Sequence, residues 1–395
     1  MMHLPVAAAC DDEEFWRTVG AQYAPSPDFI NLENGYFGMP AEPVRAALRR
    51  YQDEVDREGA WFLRVRYPER HRRVLQALAD FCGVSADEIV LTRSAVESFN
   101  ILIQGYPFEA GDEVLLAGHD YDSVIATLGM LEARKGIRLR IVQAPLDPAS
   151  DDEIVSLYER AIGPRTRAVV LTHVVHRTGQ IMPVARIAAM VRRHGVDAIV
   201  DAAHSLALLD YKVPELGAPF GVFNLHKWVG APLGLGMLYI ARERIAGIAP
   251  LYGDVSHAPG DIAKLAHFGV VPPAPILAVE DALAFCRRVG VPNKEARLRY
   301  LSHYWMEQVR DLPGVRVLSP RDPQRYCALG AFAIDGMPAE AVAQRLMARH
   351  RIFTVVRKLS ESAGASDCVR VTPHLYTTTA ELDALVAAIR ELAAG

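Results

Sequence analysis

The sequence is poor in cysteine, and its cysteines are not grouped. Five of them are dispersed over 395 residues without any CxxC spacing: Cys10, Cys82, Cys286, Cys327 and Cys368. Zinc sites and redox pairs require closely spaced thiols. We therefore predict no metal site, and we expect these thiols to be buried and reduced.

Long apolar runs and an excess of one charge are also missing. No apolar run reaches the roughly 20 residues that span a bilayer. The N-terminus has no basic region and turns acidic within about ten residues, unlike an export signal. The net charge is −4 with lysine and arginine scattered, so no basic stripe could follow a phosphate backbone. We predict a cytoplasmic protein without membrane or nucleic-acid partners.

A glycine-rich phosphate loop is missing as well. A nucleotide-binding enzyme with a doubly wound sheet would place such a loop between its first strand and a helix. The glycine-rich stretch GLGMLYI, residues 234–240, begins a strand instead. Its glycines are better explained by close packing of the backbone.

From about residue 70 to 240, short β-branched runs alternate with helical patterns. The runs are DEIVLT, DEVLLAG, IRLRIVQAP, RAVVLTHVV, DAIVDAAH and GMLYIA. Runs this apolar on both faces predict a mostly parallel sheet covered by helices, which is an α/β fold. The stretch RIAAMVRRHG, residues 186–195, has the helical spacing and glycine stop of a crossover helix. Ligands of such sheets bind at the carboxyl ends of the strands.

The pattern changes beyond about residue 256. A Pro-rich segment leads into a long helical stretch to about residue 312, and the remaining strands and helices form an α+β pattern. We predict an N-terminal segment (1–30) that packs on the smaller domain, and a large domain (31–255). A connecting helix and the small C-terminal domain would make up residues 256–395.

Asp201 and Lys227 form the most informative pair. Asp201 ends the run DAIVD, and Lys227 follows after a helix-and-strand length of chain, between His226 and Trp228. Pyridoxal phosphate requires a lysine amine that forms a Schiff base with its aldehyde, and an acid that keeps a proton on its pyridine nitrogen. Each residue alone has a commoner explanation, a strand-end cap for the aspartate and a surface position for the lysine.

In this context, DAAHS followed by NLHKWVGAPLGLGMLYI is similar to the class V aminotransferase family of fold-type I pyridoxal phosphate enzymes, in particular its isopenicillin N epimerase-like branch. Further similar segments are INLENGYFGMPAEPVRAAL, DEIVLTRSAVESFNILI, GDEVLLAGHDYDSV, THVVHRTGQIMPV and VRVTPHLYTT. The resemblance implies a large domain with a mainly parallel seven-stranded sheet, a smaller α+β C-terminal domain, and pyridoxal 5'-phosphate as cofactor. It also implies a homodimer with the active site at the subunit interface, to which FGVVPPAPIL would contribute.

The resemblance implies roles around the cofactor. Lys227 would form the Schiff base and carry the substrate α-proton, and Asp201 would pair with the pyridine nitrogen. His204 would line the cofactor face, with a purely structural histidine as the alternative, and Tyr121 would stack on the ring. His176 stands where relatives often have Asn or Ser near the phenolic oxygen. It is either an acid–base group tuned near neutrality or a bulky polar replacement without a chemical role.

The cofactor phosphate is expected at a helix N-terminus, where free N–H groups and the helix dipole favour anions. The turn TRSAVESFN supplies one, and the predicted contacts are Ser94, Ala95, Val96, Asn224 and His226. The sequence departs from a common family pattern at Val96, where many relatives have threonine, and at Val270, where a Gly-Thr pair often reaches across the dimer interface. Because both valines lack a hydroxyl, the phosphate must depend more on backbone N–H groups, on His226 and Asn224, and on Arg93 or Ser94.

Three residues are predicted to bind an amino-acid substrate. Arg370 in VRVTPHLY matches the arginine that holds the substrate α-carboxylate in this family, and its planar fork fits a carboxylate. The alternative is a structural arginine on a strand. Tyr36 in ENGYFG and Arg64 in REGAWFLRVRYPE are the other two.

The predicted reaction takes place at the α-carbon of an amino acid or amino-acid-bearing peptide, in secondary metabolism. C–S β-elimination, epimerisation, and transamination or deamination all stay open, because the cofactor supports each of them. A cysteine desulfurase is disfavoured, because such enzymes of the family need a nucleophilic cysteine on a mobile loop. Here only Cys368 is nearby, expected on the same strand as Arg370. A non-catalytic cofactor-binding module is a further alternative, disfavoured because Lys227, Asp201 and Arg370 are all present.

Overall fold

The computed structural model describes residues 9–359 and 367–395. Its α-helices are α1 (Glu13–Gly20), α2 (Glu42–Glu58), α3 (Tyr67–Cys82), α4 (Ala95–Gly105), α5 (Asp122–Lys135), α6 (Asp151–Ala161), α7 (Val184–Arg193), α8 (Pro273–Leu277), α9 (Val279–Val289), α10 (Val291–Val309), α11 (Ala339–His350) and α12 (Thr379–Ala394). Its strands are β1 (Ile30–Asn31), β2 (Ile89–Thr92), β3 (Glu113–Ala117), β4 (Arg138–Val142), β5 (Thr166–Thr172), β6 (Asp197–Asp201), β7 (Phe220–Asn224), β8 (Gly236–Ile240), β9 (Val315–Val317), β10 (Gly330–Ile334), β11 (Ile352–Phe353), β12 (Val355–Arg357) and β13 (Cys368–Val371). All the strand runs predicted from the sequence are confirmed.

A seven-stranded sheet forms the centre of the molecule, in the order β2-β8-β7-β6-β5-β3-β4. Its β3–β4, β3–β5, β5–β6 and β6–β7 pairs are parallel, whereas β8 runs antiparallel to both β2 and β7. The predicted mainly parallel seven-stranded sheet is therefore confirmed. The carboxyl ends of β5, β6 and β7 consequently meet at one edge of the sheet.

Alternate residues of the buried strands face two different helix layers. On β3, Val114 and Leu116 pack in a cluster with Phe99 of α4 and Leu128 of α5. Leu115, between them, packs in a cluster that contains residues of α3, α6 and α7. Burial of both faces explains the continuous apolar runs, since each Å² of apolar surface removed from water contributes roughly 25 cal/mol.

Two connections of the sheet can be compared with the sequence-based prediction, the one through α7 and the one between β6 and Lys227. The predicted crossover helix is α7, and Gly195 after it adopts the positive φ of 70° that ends the helix. Between β6 and the lysine, however, there is no full α-helix. A 3-10 turn, Val213–Leu216, with a proline near its start, precedes β7.

The predicted long helical stretch beyond residue 256 is divided into three helices, α8, α9 and α10. Gly290, with φ 84°, separates the last two, and a proline in the first turn of α10 restarts the helix. A second sheet, antiparallel in the order β12-β13-β10-β9, follows with α11 and α12.

The N-terminal part of the chain contacts this smaller sheet region. Phe15, Trp16 and Val19 of α1 belong to the same core cluster as residues of α10, α11 and α12. Strand β1 pairs in parallel with β11, with Ile30 opposite Ile352. The bounds of the three predicted parts, 1–30, 31–255 and 256–395, stay a prediction.

No helix in the described ranges combines the length and apolar character needed to cross a membrane. The same ranges contain no group of three or more His, Cys, Asp or Glu side chains arranged to hold a metal ion.

Candidate active site

The carboxyl ends of β5, β6 and β7 and the N-terminal ends of α4 and α5 surround a cavity of about 380 Å³. Small-molecule sites have volumes of ~300–1,000 Å³. The cavity is lined by Tyr36, Arg93, Ser94, Ala95, Val96, Tyr121, Val124, Thr172, Val174, His176, Asp201, Ala203, His204, Asn224, His226, Lys227, Leu233 and Gly234. Every predicted cofactor-binding residue is in this set.

Lys227 lies in the turn that joins β7 to β8. The turn is held by the Leu225 N–H, which donates to the Leu235 carbonyl at 3.0 Å, and by the Gly230 N–H, which donates to the carbonyl of Lys227 at 3.1 Å. Lys227 lines the cavity, and protein atoms bury its amine on the other sides. This burial lowers its pKa to about 7, against the opposing effect of the Asp201 carboxylate. A large share of the amine is thus uncharged near neutral pH, as a nucleophilic amine requires.

His204 connects Lys227 to Trp228. Its Nε2 lies 2.8 Å from the Lys227 amine, and its Nδ1 accepts the indole N–H of Trp228 at 3.4 Å. Burial, together with the charge of Lys227, holds the pKa of His204 well below its ordinary value. Because an indole can only donate, this contact puts the single ring proton on Nε2 and directs it at the lysine amine.

Asp201 ends β6 and is 6% exposed. Its Oδ1 accepts the Ala203 N–H at 3.0 Å, and burial raises the pKa of its carboxyl group. A buried carboxylate is costly unless it meets a cation or several donors. Asp201 is therefore suited to share a proton with a basic group in the cavity.

The N-terminus of α4 forms one wall of the cavity. Ser94 is its N-cap and accepts the Glu97 N–H at 3.2 Å, and the Asn224 Oδ1 accepts the Ala95 N–H at 2.8 Å. One of the predicted backbone donors, the Ala95 N–H, is thus already bonded. The hydroxyl proton of Ser94 and the amide nitrogen of Asn224 are the side-chain groups left to meet an anion.

His226 presents one nitrogen to the same wall. Its Nδ1 donates to the carbonyl of Leu235 at 2.7 Å, because that oxygen can only accept. Burial lowers the pKa of His226 to about 4. In the neutral ring Nε2 is then an acceptor, so donation to a phosphate requires a second proton on this histidine.

His176 and Tyr121 both line the cavity, and their rings contact each other. Their rings are edge to face, 5.1 Å apart at 87°. Burial, with the nearby charges of Arg177 and Arg370, holds the pKa of His176 well below its ordinary value. Burial first, and then these charges, favour the neutral imidazole of His176, and its acid–base role stays a prediction.

Arg370 lies on β13 and is 1% exposed. It does not line the cavity but lies behind His176, where its Nη1 donates to the carbonyl of His176 at 2.7 Å. Its Nη2 forms a short ion pair with Glu33. Burial lowers the pKa of Arg370, although Glu33 opposes the effect.

Two other predicted positions lie outside the cavity. Arg64 is on the exposed side of a π-helical turn, Phe62–Arg66, so the structure does not bring it to the other predicted residues. Val270 is 92% exposed, next to Gly269 with φ 74°. Tyr36 does line the cavity, at its mouth, and is 70% exposed.

Sequence reasoning missed two contacts of the site. Glu33 lies in the segment INLENGYFG, but its 337-residue separation from Arg370 gives no local signal of the ion pair. Trp228 stands out in the sequence only as a neighbour of Lys227. A polar indole beside a buried lysine was the available signal, since buried tryptophan N–H groups usually find an acceptor.

Comparisons with known proteins agree with this geometry. A family model described as Aminotransferase class-V matches residues 44–385, and the chain belongs to that family. Isopenicillin N epimerase of Streptomyces clavuligerus is 26% identical over 394 residues, 95% of this chain and 98% of the relative. A probable cysteine desulfurase of Methanothermobacter thermautotrophicus is 26% identical over 374 residues, 89% of this chain and 91% of the relative.

A solved structure has the same fold. The complex of the cystine C–S lyase C-DES with its reaction product cysteine persulfide superposes with a TM-score of 0.82 at 25% identity, covering 92% of this chain and 97% of that one. The fold is therefore that of the fold-type I pyridoxal phosphate enzymes, and the chain is a pyridoxal-phosphate-dependent enzyme. The alternative of a non-catalytic module is not supported.

The described residues fit this cofactor. A partly uncharged lysine amine can condense with its aldehyde, and the buried Asp201 carboxyl gains a cationic partner if the pyridine nitrogen is protonated. The α4 N-terminus supplies the positive end of a helix dipole for a phosphate.

Proposed function

We propose that this chain catalyses a one-base reaction at the α-carbon of an amino acid, and that the reaction is a β-elimination that releases a β-substituent such as a thiol. When bound, pyridoxal phosphate holds the substrate amine covalently and stabilises negative charge at the α-carbon. Lys227 takes the α-proton, Asp201 holds the proton of the pyridine nitrogen, and Arg370 binds the α-carboxylate.

The observation that carries this proposal is the difference between the pKa of Lys227 and the pKa values of the cavity histidines His204 and His176. The amine of Lys227 has a pKa of about 7, near the value at which a general base works best at neutral pH. Burial holds the pKa values of His204 and His176 well below their ordinary value, so neither neutral imidazole readily accepts a second proton. Lys227 is therefore the base that removes the α-proton, and β-elimination needs no other.

The remaining residues support binding. Ser94, Asn224 and His226 hold the phosphate at the N-terminus of α4, and Tyr121 packs on the cofactor ring beside His176. His204 keeps the Lys227 amine in position through its Nε2 contact. Tyr36, exposed at the mouth of the cavity, meets the substrate side chain.

Epimerisation is a second candidate, favoured by the full-length similarity to isopenicillin N epimerase. It requires an acid on the face of the α-carbon opposite Lys227. Tyr121 and Tyr36 are the phenol-bearing side chains that line the cavity and are the candidates for this acid. A persulfide-forming desulfurase is less favoured, because Cys368 lies on β13 with Arg370, is fully buried, and burial raises the pKa of its thiol to about 12.

The test incubates the holoenzyme with a panel of L- and D-amino acids that includes S-substituted cysteines, in deuterated water. Thiol, pyruvate and ammonia from an S-substituted cysteine support β-elimination. Exchange of the α-hydrogen with inversion at the α-carbon, without release of thiol, pyruvate or ammonia, supports epimerisation and contradicts the elimination. Lys227→Arg, which keeps a cation but removes the tuned amine, is the matched control and should lose either activity.

We also propose a homodimer, in agreement with the resemblance to the family. A large apolar groove between β2 and the segment 261–276 is lined by Tyr67, Leu91, Leu233, Phe268, Val271 and Ile276. Val270, between two lining residues of this groove, is 92% exposed. Sedimentation of the wild type and of Val270→Asp tests the assembly, and a monomeric wild type would contradict it. A cytoplasmic location is proposed from the sequence pattern alone.

A further inference from the structure

The arginine proposed to bind the substrate carboxylate is already engaged by a carboxylate of its own chain. Glu33, in the loop after β1, forms an ion pair with Nη2 of Arg370 through its Oε1. The same Oε1 accepts the N–H of Tyr36 at 2.9 Å. Glu33 is 8% and Arg370 1% exposed, so this pair is removed from water. The charge of Arg370 is therefore largely neutralised before any substrate arrives.

Two of the three guanidinium nitrogens of Arg370, Nη1 and Nη2, are engaged, whereas its Nε is buried without a hydrogen-bond partner among the described residues. Its Nη1 donates to the backbone carbonyl of His176 at 2.7 Å. Gly35 packs so closely that a Cβ at this position would lie 2.8 Å from Nη2 of Arg370. Two-point binding of a carboxylate needs two N–H groups on one edge of the fork. Nη2 belongs to both such edges, paired with Nε or with Nη1, so a carboxylate bound at two points competes with Glu33 for Nη2. The Glu33 side chain can leave by rotation, whereas the carbonyl of His176 is fixed in the backbone.

A second arginine stands next to Glu33. Nη2 of Arg357, on β12, lies 3.8 Å from Oε1 of Glu33. In the described part of the chain, Oε2 of Glu33 and Nε of Arg357 are both buried without a hydrogen-bond partner. A buried charge that loses its partner costs ~3–5 kcal/mol. A short movement of Glu33 from Arg370 to Arg357 avoids that cost, because each carboxylate then still has a guanidinium.

We propose that Glu33 is a resident carboxylate that holds Arg370 in the free enzyme and exchanges it for the substrate's α-carboxylate, with Arg357 receiving Glu33. This inference rests on the proposed function, in which Arg370 binds that carboxylate. The three side chains carry a net charge of +1 without substrate and of zero with one bound carboxylate. Glu33 thus sets the affinity for carboxylate ligands, since the apparent affinity falls with the fraction of molecules in which Arg370 is free.

The test measures binding and not turnover. The probe is propionate, which has the carboxylate but no amine to react with the cofactor, and propionamide is the uncharged control. Saturation-transfer NMR titrations are made on the holoenzymes of the wild type, Glu33→Gln, Arg357→Gln, Arg370→Gln and the double variant Glu33→Gln/Arg357→Gln. Glu33→Gln is nearly isosteric and keeps an oxygen for the Tyr36 N–H.

We expect Glu33→Gln to bind propionate about tenfold more tightly, since an anionic competitor becomes neutral. Arg357→Gln should bind it more weakly, and this loss should be clearly smaller when Glu33 is already Gln, because no carboxylate then needs a new partner. Propionamide binding should not change in any of these variants.

Equal or weaker propionate binding by Glu33→Gln would overturn the exchange and leave Glu33 as a residue that merely orients Arg370. If Arg370→Gln binds propionate as the wild type does, the proposed role of Arg370 fails as well, so the two failures are distinguishable. Thermal unfolding checks that each variant is folded. Should Glu33→Gln not fold, Glu33→Asp replaces it. Its shorter side chain reaches Arg370 less well and should also tighten binding, and unchanged binding would again overturn the exchange.

Discussion

The amine of Lys227 lies 2.8 Å from Nε2 of His204. The proton between them is assigned by Trp228, whose indole N–H donates to the other nitrogen of the imidazole. This arrangement keeps the imidazole a donor toward the amine, which favours the uncharged form of the lysine. Trp228 is therefore a positioning residue for the protonation state of Lys227.

Trp228→Phe tests this relationship. The phenyl ring can still stack on His374, as the indole does at 6.0 Å, but it cannot donate to His204. The imidazole can then accept a proton from Lys227, so the pKa of the lysine should rise by about 0.5–1 unit, the equivalent of one hydrogen bond. The measurement is the pH dependence of the rate at which the visible absorption band appears when apoprotein is mixed with pyridoxal phosphate.

Trp305→Phe is the matched control, because Trp305 is buried in the same core cluster as Trp228 but its indole N–H has no partner in the described residues. It should leave the pH profile unchanged. An identical profile for Trp228→Phe would show that the indole does not control the tautomer of His204.

Lys227 also predicts how the stability of the apoprotein depends on pH. Its folded-state pKa of about 7 lies below the ordinary value of 10.5. Below pH 7 the folded apoprotein carries a buried ammonium, which destabilises it by the full amount. As the pH rises from 7 toward about 10, the folded lysine is uncharged and this destabilisation disappears. The free energy of unfolding should therefore increase over this window. At ~1.4 kcal/mol per pKa unit, and with allowance for the partial exposure of the amine, we expect a gain of about 2–4 kcal/mol.

Lys227→Met should lack this increase and should be the more stable apoprotein at pH 7. Urea unfolding at several pH values measures both effects. If the free energy of unfolding depended on pH equally in the wild type and in Lys227→Met, burial would not disfavour the charged form of the lysine.

His226 predicts a proton uptake on cofactor binding. Its pKa of about 4 belongs to the site without an anion, and a phosphate dianion at Nε2 should raise it. Binding should therefore become tighter as the pH falls from about 8 to 6, because the protonated ring can donate to the phosphate. Titration of the apoprotein with pyridoxal phosphate measures the slope, and His226→Asn corrects for the titration of the phosphate itself. A slope that His226→Asn retains in full would rule out this role.

The sequence carried enough information for the sheet and for the pairing of Asp201 with Lys227. Apolar runs and a glycine stop mark the strands and α7, and the rule that ligands bind at the carboxyl ends of strands brings the two residues to one edge. Contacts between distant segments follow no such local rule. The pairing of Glu33 with Arg370 depends on how the loop after β1 packs against β13, which no periodicity encodes.

The structure does not bring Arg64 to the cavity, and its substrate role stays a prediction. Its prediction depended only on its position in a segment rich in aromatic and basic residues. In the structure Phe62 is buried on the π-helical turn, whereas Arg64, two residues on, points to the exposed side. Residue type within a segment does not encode which face of a turn a side chain occupies.

Gly38 connects the N-terminal loop to the catalytic turn. Its N–H donates to the carbonyl of His226 at 3.0 Å, and a Cβ at this position would collide with the carbonyl oxygen of Lys227. Gly38→Ala must therefore displace either the loop or the lysine turn. We expect it to lower the free energy of unfolding by about 2–4 kcal/mol. We also expect it to lower kcat and to change KM by a smaller factor.

Gly129→Ala is the matched control in α5, where an added Cβ meets no atom within 4 Å. It should raise the free energy of unfolding by about 0.5–1 kcal/mol through helix propensity and leave kcat unchanged. Denaturant unfolding and steady-state kinetics of both variants check the contrast. If Gly38→Ala were as stable and as active as the wild type, the close approach of the two loops would not be needed to hold Lys227 in the cavity.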